Sequence, residues 1–134
     1  EWVSYLSLNC KQKIKTQKGT NLSPNFVFNI PVVVRKGDLT VNAQFTDVEI
    51  ESVKDKFAVE MKLQRQGSRS LYGRIDVKDS HDNLLGFVKG FSVYQQTHAR
   101  PLRIALNAKP EGKIKLVFNE HEKFGDAKAL WQQQ

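Results

Sequence analysis

The chain has 134 residues, with 21 lysines and arginines against 14 acidic residues, a formal charge of +7 at pH 7. Its 40% hydrophobic content, 10% of all residues being aromatic, is enough to bury one core and argues against a disordered chain. The longest aliphatic run, Ile30-Pro31-Val32-Val33-Val34, falls far short of the roughly 20 residues a membrane-spanning helix needs, and the single cysteine, Cys10, excludes an intrachain disulfide and any multi-cysteine metal site.

The opening residues, Glu1-Trp2-Val3-Ser4-Tyr5, have neither a basic nor an apolar leader region, so no signal peptide is visible, and prior removal of one is compatible with this start. Trp2–Asn9 and Asn25–Arg35 are strand candidates on either side of a polar, Lys-rich stretch, and Arg35-Lys36-Gly37-Asp38 separates the second from the strands beyond it. Leu39, Val41, Ala43 and Phe45 then alternate with polar residues, as do Phe57, Val59, Met61 and Leu63. Period two of this kind marks strands with one buried face. Ile75 and Val77 continue the pattern, and Asp79-Ser80-His81-Asp82-Asn83 turns the chain into a hairpin with Leu84-Leu85. The run to Tyr94 carries Gly86 and Gly90, positions suited to a bulge or a close backbone approach, and the alternation changes phase across Gly90. Leu102, Ile104 and Leu106 come next, and after the Pro110-Glu111-Gly112 turn Ile114, Leu116 and Phe118 make the last clear strand. His121–Gln134 shows no period and reads as a tail with at most a short element.

Many short strands without a ten-residue helical pattern predict an all-β, immunoglobulin-like antiparallel β-sandwich, with a closed barrel as the competing architecture. The expected core is Phe45, Phe57, Val59, Met61, Leu63, Ile75, Val77, Leu102, Ile104, Leu116 and Phe118, in one sandwich running from Leu39 to Phe118.

Chemical motifs are sparse. His81, His98 and His121 fit no zinc-ligand spacing, and the Asp79–Asn83 cluster lacks the layout of a calcium loop. There is no nucleophile elbow and no phosphate-binding glycine loop, and Gly67-Ser68-Arg69-Ser70 reads as a polar turn with a basic flank. No enzyme activity, cofactor or metal is therefore expected. Lys89-Gly90-Phe91-Ser92-Val93-Tyr94 has some of the order of an RNA-recognition signature, but Val93 stands at its second aromatic position. Lys11, Lys13 and Lys15 alternate and would line one face of an extended segment. Nucleic acid is not the expected partner on these grounds, although a basic nucleic-acid-binding β domain stays among the alternatives.

Ile30-Pro31-Val32-Val33-Val34-Arg35-Lys36-Gly37, succeeded by new alternating strands, resembles the junction between the two immunoglobulin-like domains of periplasmic pilus-assembly chaperones. Glu1–Leu8 looks like the penultimate strand of the first domain and Asn25–Arg35 like its last. Leu63–Gly73, Gly90–Tyr94 and Val117-Phe118-Asn119-Glu120 are similar to second-domain segments. The resemblance implies a hairpin of first-domain strands over residues 1–36, a second immunoglobulin-like sandwich over 37–120 and a tail over 121–134. It also implies a periplasmic, non-enzymatic protein that binds pilin-like subunits by strand addition and hands them to an outer-membrane usher. Carried over in register, the donor positions fall on Leu22, Pro24, Phe26 and Phe28, and Arg35 and Glu120 correspond to an interdomain ion pair. The family's carboxylate-anchoring lysine is replaced by Pro31, and the early first-domain strands have no counterpart, so the anchor is absent or built differently. An uncovered first-domain face would favour strand-swapped self-association. The alternative reading is an immunoglobulin-like interaction or adhesion module.

Overall fold

The computed structural model describes residues 1–11, 14, 15, 21, 22 and 25–134. The regular structure among them is entirely β, and the strands pair antiparallel. The chain divides into two compact units, Glu1–Lys36 and Gly37–Gln134.

In the first unit β1 (Trp2–Lys11) pairs with β4 (Asn25–Val34) through ten residues, from Trp2 opposite Val34 to Lys11 opposite Asn25. The short strands β2 (Ile14–Lys15) and β3 (Asn21–Leu22) pair Ile14 with Leu22. In both ladders the partners' numbers add to 36, so β2 and β3 keep the register of β1 and β4. Residues opposite one another in an antiparallel pair point to the same side. One face of this ribbon therefore carries Trp2, Leu6 and Leu8 beside Phe28, Ile30, Val32 and Val34, while the other mixes Tyr5, Ser7 and Asn9 with Val27, Asn29 and Pro31.

The second unit begins with β5 (Val41–Val53) and β6 (Lys56–Gly67), joined at Lys54 and Asp55, both with positive φ (49° and 63°). Two such residues in succession make the type I′ turn whose twist matches that of a hairpin. Lys-Asp lacks the Asn-Gly signature of that turn, which is why the sequence does not advertise it. β6 also pairs with β9 (Ala99–Ala105), giving a sheet in the order β5-β6-β9. The other sheet has the order β11-β10-β7-β8, from β7 (Leu71–Lys78), β8 (Leu84–Val93), β10 (Lys115–Glu120) and β11 (Lys128–Gln132).

The two sheets bury their inner side chains in one core. Val59 and Leu63 from the first and Leu71, Ile75, Val77, Leu116 and Phe118 from the second are fully inaccessible to solvent. Phe57 and Leu102, expected in the core, are only half-buried; Leu102, opposite Met61, packs against the rim of the core. Five strands of this unit lie within Leu39–Phe118, β10 runs on to Glu120, and the seventh is β11, from the stretch read as a tail. Only Ala129 and Trp131 point inward there, too few residues to establish a period in sequence.

Two irregularities re-aim side chains. Thr46 opposes Lys62 but Glu49 opposes Glu60, so Asp47 (φ 51°) sits in a bulge that brings Val48 onto the core after Phe45. Between Gly73–Phe91 and Ile75–Val88, β8 holds an extra residue at Gly90 (φ 68°), the phase change read in sequence.

Candidate functional site

The donor positions can be located only in part. Leu22 lies in β3 opposite Ile14, and Pro24 falls outside the described residues. Phe26 and Phe28 lie in β4, opposite Cys10 and Leu8. Alternation puts Phe26, Phe28, Ile30 and Val32 on one face, and they remain 49%, 54%, 45% and 44% exposed. Among the described residues the ribbon is two-stranded, so β4 presents a second, unpaired main-chain edge beside that face. A lone hairpin is marginal in water, and a long apolar edge is a template for another strand.

Arg35 and Glu120 each have an ionic partner within their own unit. Arg35 Nε donates to Glu1 Oε2 at 3.0 Å. Glu120, read as the interdomain acid, is gripped by Arg69: Nη1 donates to Oε1 and Nη2 to Oε2, the latter at 2.9 Å. Glu120 Oε2 also accepts the Ala127 amide at 3.0 Å, so the carboxylate ties the turn after β6 to the β10–β11 connection. Gly125 lies against this pair. A Cβ there would stand 2.5 Å from Glu120 Oε2 and 2.6 Å from Arg69 Nη2. Arg65, also buried, donates through Nη1 to the Gly67 and Arg69 carbonyls and through Nη2 to that of Gln95, at 2.8, 3.1 and 2.9 Å. Neither buried arginine is legible in sequence: Arg69 sits in the stretch that reads as a polar turn and Arg65 near the end of the strand before it. Arg69 is buried against a carboxylate 51 residues away, and Arg65 against two nearby carbonyls and that of Gln95, 30 residues away.

The remaining polar clusters are structural. Asp79, buried in the β7–β8 turn, accepts from the His81 and Asn83 amides (2.9 and 3.0 Å) and from Asn83 Nδ2 (3.0 Å). Burial pushes its pKa up, but the hydrogen bonds from Asn83, His81 and the Glu111 segment outweigh this and hold it below the ordinary aspartate value. Glu60 lies above its ordinary value because Glu51 shares a hydrogen bond with it and repels its charge. Among the described residues no three His, Cys, Asp or Glu side chains converge as metal ligands. Phe91 of the RNA-recognition-like segment is buried, so that segment does not display it for stacking, and Lys13 of the lysine row lies outside the described residues.

No family model, curated protein or solved structure matches this chain.

Proposed function

We propose that the protein is a non-enzymatic, periplasmic chaperone-like binder of β-rich clients, of the kind formed by pilin-like subunits, and that it acts by strand addition along β4. One observation carries this reading: Phe26, Phe28, Ile30 and Val32 alternate on a single exposed face of a ten-residue strand whose second edge is unpaired among the described residues. Strand addition needs this combination, since the main chain supplies affinity and the alternate side chains fill pockets in the client. The residue resemblance to pilus-assembly chaperones supports the same reading and extends it to an outer-membrane usher as the acceptor of the client.

The second unit, on this reading, is an immunoglobulin-like sandwich. Lettered A to G in chain order, its strands form A-B-E and G-F-C-D, which keeps the A-B-E and G-F-C neighbours of such domains and seats the fourth strand beside C instead of E.

The test is refolding of a denatured pilin-like subunit by dilution, with and without the protein. The wild-type chain should keep the subunit soluble in a 1:1 complex. The Phe26→Glu, Phe28→Glu variant should lose that capture while the second unit melts unchanged. Undiminished capture by that variant would refute the proposal.

A further inference from the structure

The outward face of the four-stranded sheet in the second unit combines rings and positive charge in a way that strand addition does not use. Tyr72 and Arg74 of β7 lie beside Phe87 and Lys89 of β8, and Phe87 is 49% exposed. The Arg74 guanidinium lies 4.5 Å from the centre of the Phe87 ring and Lys89 Nζ lies 5.6 Å from it. At the other end of the same face Tyr72 packs with Phe124 (centroids 5.0 Å apart) and His121 (6.1 Å). Between the two groups is a depression of about 390 Å³ lined by Tyr72, Arg74, Lys89, Asn119, His121 and Glu120, whose carboxylate is held by Arg69. Its floor stays open because the bulge residue is glycine, and a Cβ on Gly90 would come within 3.2 Å of the Tyr72 hydroxyl.

Charge is distributed to match. Outward positions of this sheet add Lys78, Lys115 and Lys128 to Arg74 and Lys89, against Asp76, which pairs with Arg74, and the turn residue Asp82, which pairs with Lys115. The outer side of the other sheet carries Glu49, Glu51 and Glu60 beside Lys62 and Arg103, so its charges largely offset one another. Lysines are depleted at protein–protein contacts, which disfavours a protein partner for a face this rich in them. An anionic lipid headgroup would satisfy the charges but leave the rings without flat partners.

We propose that this face binds single-stranded nucleic acid, with Phe87 and Tyr72 stacking on bases and Arg74, Lys89 and the neighbouring lysines contacting phosphates. The ligand class follows from the interleaving of rings and cations. A base stacking on Phe87 would displace the Arg74 guanidinium, which lies over the ring and pairs with Asp76, toward a phosphate.

Fluorescence anisotropy of a labelled dT15 oligonucleotide with the full chain tests it, with dextran sulfate and poly-glutamate as competitors. If three or four phosphates are contacted, log K should fall against log salt with a slope of roughly −2 to −3. Phe87→Leu keeps the apolar bulk and every charge but removes the ring, and it should weaken binding roughly 5- to 150-fold, the range for losing one stacked base. An Arg74→Ser, Lys89→Ser variant should flatten the salt slope, whereas Glu60→Gln on the other sheet should change nothing. Absence of dT15 binding, or binding that Phe87→Leu leaves intact and poly-glutamate displaces as well as dT15 does, would overturn the proposal. The second result would leave a general polyanion or acidic-protein surface in its place.

Discussion

Removing the Glu120 carboxylate tests the packing of the second unit most directly. In Glu120→Ala the Arg69 guanidinium loses both carboxylate bonds and retains its 3.3 Å contact to the Ser70 carbonyl, while the Ala127 amide loses its acceptor. Breaking a buried pair from one side costs about 3–5 kcal/mol, since the remaining charge stays desolvated. For a domain of about 100 residues each kcal/mol lowers Tm by roughly 5 °C, so the variant should melt roughly 15–25 °C below wild type. The double variant Arg69→Met, Glu120→Met removes both charges and leaves apolar bulk, and should recover most of the loss, because an ion pair replaced whole is often nearly neutral. Thermal unfolding followed by far-ultraviolet circular dichroism, with the single variants Arg69→Met and Glu120→Met completing the cycle, measures the coupling. A fall of less than about 5 °C in Glu120→Ala, the effect of only ~1 kcal/mol, or a double variant no better than the worse single one, would refute the reasoning.

Two further outcomes rest on neighbouring geometry. Gly125→Ala should destabilise the unit by about 1–3 kcal/mol, the usual cost of forcing bulk into a packed site, because its methyl would meet the Arg69–Glu120 pair; urea denaturation at constant m-value measures it. Asp79 titrates below its ordinary value in the folded state, so its stabilising effect is complete above the unfolded pKa and disappears as pH falls through the folded one. Asp79→Asn should therefore melt below wild type at neutral pH and converge with it in strong acid, and a gap in Tm that stays constant over that range would contradict the assignment.

How much of this is legible in sequence depends on the range of the interactions. Alternation is local, so Val59, Met61, Leu63, Ile75, Val77, Leu116 and Phe118 declare themselves as the inner sides of strands before any partner is known. The Gly90 phase change and the Asp79–Asn83 turn are local for the same reason: each is written in a few adjacent residues. The apolar face of β4 is likewise visible as Phe26, Phe28, Ile30, Val32 and Val34. Its exposure is not, since burial depends on what packs against it. Arg69 and Glu120 are 51 residues apart, and nothing near either one names the other. Lys54-Asp55 turns a hairpin without turn-forming sequence, because the long ladder between β5 and β6 compensates for two unfavourable φ angles. β11 joins its sheet with only two inward residues. The sequence alone determined which residues line strands and which sides are apolar. Tertiary structure decided which strands are neighbours, which charges are buried together, and which rings and cations share the outer face of one sheet, because each of those depends on free energies gained only when distant segments meet.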